Sequence, residues 1–199
     1  MSQPSLESLL AAVQANDDEA AEQVVTSYTV ASAPALSDVL ALFETEDADQ
    51  RWWAVRTAAA IAPFSDGGTL ALEAPLRQRL HDADPAVRCA AALAAGHLHM
   101  APLVTELAHA LGDESGWVRS SAADALALIG ETAVPALLRV LAGTDQGART
   151  RAAYALSKIR TMEVANAFYY CLQDENQLVQ TYAYDTLEQM GLLQTILVM

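Results

Sequence analysis

Lysine is almost missing from this chain: Lys158 is the only one among 199 residues, and 11 basic residues stand against 25 acidic ones. The imbalance is steepest at the start, where residues 1 to 50 hold ten acidic residues and no Lys or Arg. Nucleic-acid binding draws on clustered cations that displace counterions, and a formal charge of −14 repels phosphate instead. Nucleic acid is therefore excluded as a partner. A glycine-rich phosphate loop is also missing, and so is the period-two alternation of strands, which leaves an all-α chain. No run approaches the roughly 18 apolar residues that a membrane span needs. The opening "MSQPSLESLL" has neither a positive stretch nor a long apolar core, so no membrane contact and a cytoplasmic location are expected.

What the chain does have is a repeat. Between residues 70 and 191 four segments align: "DADPAVRCAAALAAGHL", "DESGWVRSSAADALALIG", "DQGARTRAAYALSKIR" and "DENQLVQTYAYDTLEQMG". Val87, Val118, Ala148 and Val179 follow one another at 31, 30 and 31 residues, a period that means a stacked repeat architecture. Ahead of each lies an apolar i,i+4 pair, Leu76 and Leu80, Leu107 and Leu111, Leu137 and Leu141, Phe168 and Leu172, with seven residues from its second member to the valine position. Each unit is thus two helices. Recurrent alanine pairs, such as Ala122 with Ala123, suit closely approaching backbones.

Residues 33–69 read as an irregular repeat, anchored by Val39 and Phe43, with "WAVRTAAAIAPF" as second helix and "ETEDADQRWW" as an insertion, because Phe43 to Val55 spans twelve residues. Residues 1–32 read as an N-terminal cap unit, with Leu6, Leu9, Leu10 and Val13 on one face and Asn16 or Asp17 capping a second helix. The expected organisation is one domain: the cap, the irregular repeat, four regular repeats over 70–191, and an apolar tail "LLQTILVM" over 192–199. The tail needs burial, either as a cap on the last repeat or by pairing with a second copy of the chain. Cys89 and Cys171 fall three repeats apart, more than about 20 Å at about 8–10 Å per helix layer. A disulfide needs Cα atoms within about 7 Å, so both are expected reduced, small and buried.

At these residues the chain resembles the HEAT-repeat family, in the short bacterial form named from phycobilisome-lyase subunits, whose hallmark is a turn Asp followed by Val-Arg and paired alanines. The resemblance is close over 70–191, looser over 33–64 and weak over 5–30. It implies a right-handed α-solenoid of about six helix pairs. It also implies an Asp–Arg ladder between adjacent repeats, with Asp84 and Arg88, Asp113 and Arg119, and Asp145 and Arg149 as its rungs. Gln180 replaces the arginine in the last repeat, where the ladder should end. Members of the family mostly bind proteins along the concave face of the second helices. HEAT-type di-iron hydroxylases use His-Glu dipeptides, which this chain lacks, and HEAT-type DNA glycosylases present a basic surface. Bilin lyases remain an alternative.

No Ser, His and Asp combination has a spacing that singles out a catalytic site, and no cofactor is expected. His97 and His99 near Cys89 suggest zinc ligands, but helix positions i and i+2 diverge by about 200°. The binding candidates are aromatic and charged. Trp52 and Trp53 are neighbours on a helix, where positions diverge by about 100°, so one should be partly exposed; Trp117 is open to either a core or a surface reading. Counting the valine position as one, the third, sixth and tenth places are expected on the concave side. These are Cys89, Ala92, Gly96; Ser120, Ala123, Ala127; Thr150, Ala153, Ser157; and Thr181, Tyr184, Glu188. Arg151, Tyr154, Lys158, Tyr182, Tyr184 and Asp185 form the most distinctive set, of the kind protein-binding surfaces use. The expected function is a non-enzymatic scaffold for a protein partner. The alternatives are a lyase or chaperone-like subunit for a cofactor-bearing protein, and a structural homo-oligomer joined through the tail.

Overall fold

The computed structural model describes residues 4–193. Every regular element among them is helical, and no described helix is long and apolar enough to cross a membrane. The tail from residue 194 onward, expected to cap or to pair, lies outside the described residues. Packing divides the chain into two compact units, residues 1–98 and 99–199.

The first unit holds α1 (Leu6–Gln14), α2 (Asp18–Ser27), α3 (Leu36–Ala41), α4 (Ala48–Ile61), a single-turn α5 (Gly68–Ala71), α6 (Glu73–Arg79) and α7 (Pro85–His97). α1 packs on α2, α3 on α4 and α6 on α7, while the second helices α2, α4 and α7 lie side by side in that order. The apolar spacing explains this: Leu9, Val39, Phe43, Leu76 and Leu80 are all buried, each contributing about 1.5–3 kcal/mol. Capping sets the start of each second helix, through Asp17 to the Ala20 N–H (2.9 Å), Asp47 to the Asp49 N–H (2.9 Å) and Asp84 to the Ala86 N–H (2.7 Å). Gly68 is required where α5 begins, since a Cβ there would stand 2.4 Å from the Ala62 carbonyl oxygen.

The second unit repeats the plan with α8 (Val104–Ala110), α9 (Gly116–Ile129), α10 (Val134–Leu141), α11 (Gln146–Ile159), α12 (Met162–Cys171) and α13 (Gln177–Gln189). Here α8, α10 and α12 form the first-helix row, and α9, α11 and α13 the second. Leu107, Leu111, Leu137, Leu141 and Phe168 are buried between the rows. Gly130 ends α9 at φ +81°, a backbone conformation costly to any other residue.

Three sequence expectations change. The ten-residue insertion before α4 is not there. Asp47 caps α4 four residues ahead of Arg51, as Asp84 does ahead of Arg88, and Phe43 lies seven residues before Gln50, the regular spacing. The repeat arginine is therefore Arg51, and the later Val55-Arg56 imitates the pattern one helical turn and a residue too late.

The ladder is also different. Arg51, Arg88 and Arg119 each grip two backbone carbonyls of their own turn: Thr45 and Glu46 (2.8 Å each), Asp82 and Ala83 (2.9 and 3.1 Å), Asp113 and Glu114 (2.7 and 3.0 Å). Asp84 and Asp145 cap helices α7 and α11 instead of meeting Arg88 and Arg149, and the Asp113 carboxylate takes the Ser115 N–H rather than Arg119. Carboxylate pairing reaches forward to the next turn. Arg51 holds Asp82 through two bonds of 2.9 Å, and Arg149 meets Asp174. Gln180 keeps the carbonyl grip, on Asp174 at 2.5 Å, without the charge.

The cysteines are the third change: Cys89 and Cys171 are half-buried rather than buried, and neither carries a disulfide. Burial, helped by the charge of Asp174, pushes the Cys171 thiol above its usual pKa.

Candidate functional site

The period of the α-helix decides which side chains each second helix offers. Places five and nine, Ala54 and Ala58, Ala91 and Ala95, Ala122 and Leu126, Ala152 and Leu156, Ala183 and Leu187, are buried throughout. The sixth place, expected on the open side, is buried as well: Val55, Ala92, Ala123 and Ala153 have no exposed surface. Such enclosed places suit compact side chains, alanine in three of these four helices. Tyr184 occupies the same place on α13 and is 52% exposed. The open face runs instead through the third, seventh and eleventh places, spaced i,i+4.

In the first unit that face is Trp52, Arg56 and Ala60 on α4 beside Cys89, Leu93 and His97 on α7. These six residues, with Ala59, Ala90 and Ala94, line one groove of about 560 Å³ that is mostly apolar. Trp53, one position on, is buried, and the two indole rings meet edge to face with centroids 4.7 Å apart and planes at 81°. Arg56 also pairs with Glu22 of α2 at 2.5 Å. A second cavity of about 400 Å³ borders Trp52 and Trp53, with Asp18, Glu22, Asp49 and Ala86 around it.

In the second unit Tyr154, Tyr182 and Lys158 come together. The Tyr154 hydroxyl donates to Asp124 Oδ1 at 2.8 Å; its ring meets Tyr182 edge to face at 5.9 Å and carries the Lys158 ammonium 5.2 Å from its centroid. The hydrogen bond to Asp124, with burial and the same carboxylate's charge, holds the Tyr154 phenol above its ordinary pKa, against the opposing charge of Arg151. Tyr184 and Asp185 border a separate shallow pocket with Leu172, Gln180 and Thr181. Trp117 is on the surface, 81% exposed in the first turn of α9. His99 donates from Nδ1 to the Leu128 carbonyl at 2.8 Å.

Sequence reasoning missed Arg56, Leu93 and Asp124, all at the seventh place. The signal was present: stepping four residues from the third place reaches them, whereas three residues leads into the packing row.

Comparison with known proteins agrees with this plan. Residues 73–157 match the family model for HEAT repeats. The repeats of that stretch are of the HEAT kind. No curated protein matches it in sequence. Among solved structures it is similar to a designed armadillo repeat protein in complex with the peptide (KR)4, at 20% identity and a TM-score of 0.52 over 90% of this chain and 97% of that one. It is also similar to the complex of CpcE and CpcF of phycocyanin lyase from Nostoc sp. PCC7120, at 22% identity and a TM-score of 0.54 over 81% of this chain and 66% of that one. An engineered protein, Northeast Structural Genomics Consortium target OR329, matches at 21% identity and a TM-score of 0.52 over 92% and 95%. At such identities the likeness is one of fold: all-α, of the HEAT and armadillo kind.

Proposed function

We propose that this protein is a non-enzymatic scaffold that holds a protein partner on the open face of its second helices. One observation carries the reading: the packing places of these helices are alanine, leucine or valine almost throughout, while the open places bear Trp52, Leu93, Tyr154, Lys158 and Asp185. Half-buried aromatic side chains with charges beside them are what interface hot spots are made of. Tyr154 and Tyr182 are held by ring contact and hydrogen bond, so little side-chain freedom is lost when a partner binds. Support by likeness comes from a designed armadillo repeat protein solved with a peptide and from CpcE solved with CpcF.

The test is affinity capture from host lysate, comparing wild type with a Tyr154→Ala, Lys158→Ala, Tyr182→Ala, Tyr184→Ala variant of unchanged helicity. A partner held by the wild type should be lost by the variant, since each hot-spot tyrosine is worth about 2 kcal/mol. Equal retention would remove the second-unit face from the site. Self-capture alone would favour the homo-oligomer. The lyase reading draws on the fold likeness to phycocyanin lyase and makes a separate demand, transfer of a pigment or cofactor to the captured protein.

A further inference from the structure

Trp52 borders two cavities that differ in the charges around them. One is the apolar groove toward Leu93 and Ala94; the other is the cavity walled by Trp52 and Trp53 and bordered by Asp18, Glu22 and Asp49. The three carboxylates come from two helices, Asp18 and Glu22 from α2 and Asp49 from α4. The chain's own Arg56 engages Glu22 and lines the groove, not this cavity. Asp18 and Asp49 meet no cation among the described residues. Each stands in a first helical turn, where negative charge offsets the helix dipole. The dipole explains why each is tolerated, but it does not require the two to converge on a cavity walled by indole rings.

Two perpendicular indoles with unpaired carboxylates around them are complementary to one kind of group, an organic cation that can lie against a ring face while its N–H donors reach the carboxylates. We propose that this cavity receives the arginine or lysine side chain of a partner peptide, whose adjacent apolar side chain enters the groove that Trp52 also borders. The proposal rests on the scaffold reading and gives its partner a chemistry: a segment in which basic and apolar residues lie close together. About 400 Å³ accommodates a guanidinium and its stem, and the pairing of cationic with apolar subsites gives specificity that net charge alone cannot.

The test is a fluorescence titration in a Trp117→Phe background, so that emission reports Trp52 and Trp53 only. The probes are acetyl-(Leu-Arg)4-amide, acetyl-(Leu-Gln)4-amide and free argininamide. The Leu-Arg peptide should saturate the signal and the Leu-Gln peptide should not. Asp18→Asn with Asp49→Asn should weaken Leu-Arg binding about tenfold. A charge-matched control, Glu131→Gln with Glu163→Gln on exposed second-unit positions, should stay within about twofold. Equal weakening by both double variants would mean diffuse attraction to an acidic protein and would overturn the proposal, as would unchanged binding by the first. Argininamide binding as tightly as the peptide would assign the cavity to a small cation and overturn the peptide. The two readings fail separately, because capture is scored on the Tyr154 variant, which leaves the Trp52 cavity intact, and peptide binding on the Asp18 and Asp49 variant.

Discussion

Asp82 shows most clearly how a single residue acts in this fold. Its carboxylate, almost wholly enclosed, takes two bonds from Arg51, one from Arg79 at 3.1 Å and one from the Asp84 N–H at 2.9 Å. Burial by itself would raise its pKa. The hydrogen bond from Arg51, the Asp84 N–H and the charges of Arg51 and Arg79 more than reverse that, and the carboxyl falls below its ordinary value. Arg51 is correspondingly raised, chiefly by the same hydrogen bond. A carboxylate whose folded pKa is depressed stabilises the fold above its unfolded pKa, about 3.9, and loses that contribution as pH falls through the folded value. Asp82→Asn should cost about 3–5 kcal/mol at neutral pH, since it leaves the enclosed Arg51 guanidinium without its counter-charge and Arg79 with only the more distant Glu44, at 3.8 Å. The gap in Tm between wild type and variant, followed by circular dichroism across a pH series, should be constant near neutrality and close below about pH 4. A constant gap at all pH values would mean that Asp82 acts by shape rather than charge.

At the scale of the element, the sixth place of the second helix is the informative one. Ala123 and Ala153 are fully buried on α9 and α11, whereas Tyr184 in the same place on α13 is half open. Ala123→Leu should therefore lower the urea midpoint by overpacking, about 1–3 kcal/mol. Tyr184→Leu should stay within about 0.5 kcal/mol. Equal effects would show that the two places are not packed differently. The element scale is also where the sequence reading went astray in the second repeat. Val55-Arg56 looks like the Val-Arg signature, but the helix start is set by the capping Asp47 and the anchor Phe43, which put Arg51 in the gripping position. Capping and anchor spacing bear directly on where the backbone turns, so they were the better guides.

For the whole molecule the governing quantity is charge. At −14, with 25 acidic residues against 11 basic ones, the chain repels itself. Raising ionic strength from a few millimolar to about 0.15 M, where the Debye length is about 8 Å, should raise Tm by a few degrees. Scanning calorimetry over a salt series checks this, and a falling Tm would show that attractive pairs outweigh the repulsion. The same change should weaken any basic partner, so affinity and stability should move in opposite directions with salt.

The sequence by itself determined the all-α class, the period of 30 to 31 residues, the buried anchors and the acidic surface. Each follows from local facts: the spacing of apolar side chains along one helix, the residues that can cap it, and a count of charges. It also named Tyr154, Lys158 and Tyr182 as members of one distinctive set over two successive repeats; the ring and cation contacts between them come from the structure. Tertiary structure alone decided which arc of each helix is covered, because the 3.6-residue period fixes angles between side chains but not the direction from which a neighbour approaches. It decided too that the repeat arginine reaches forward to the next turn, and that α2 brings Asp18 and Glu22 to the tryptophans of α4. Those are contacts between residues about 30 apart, and no local periodicity encodes them.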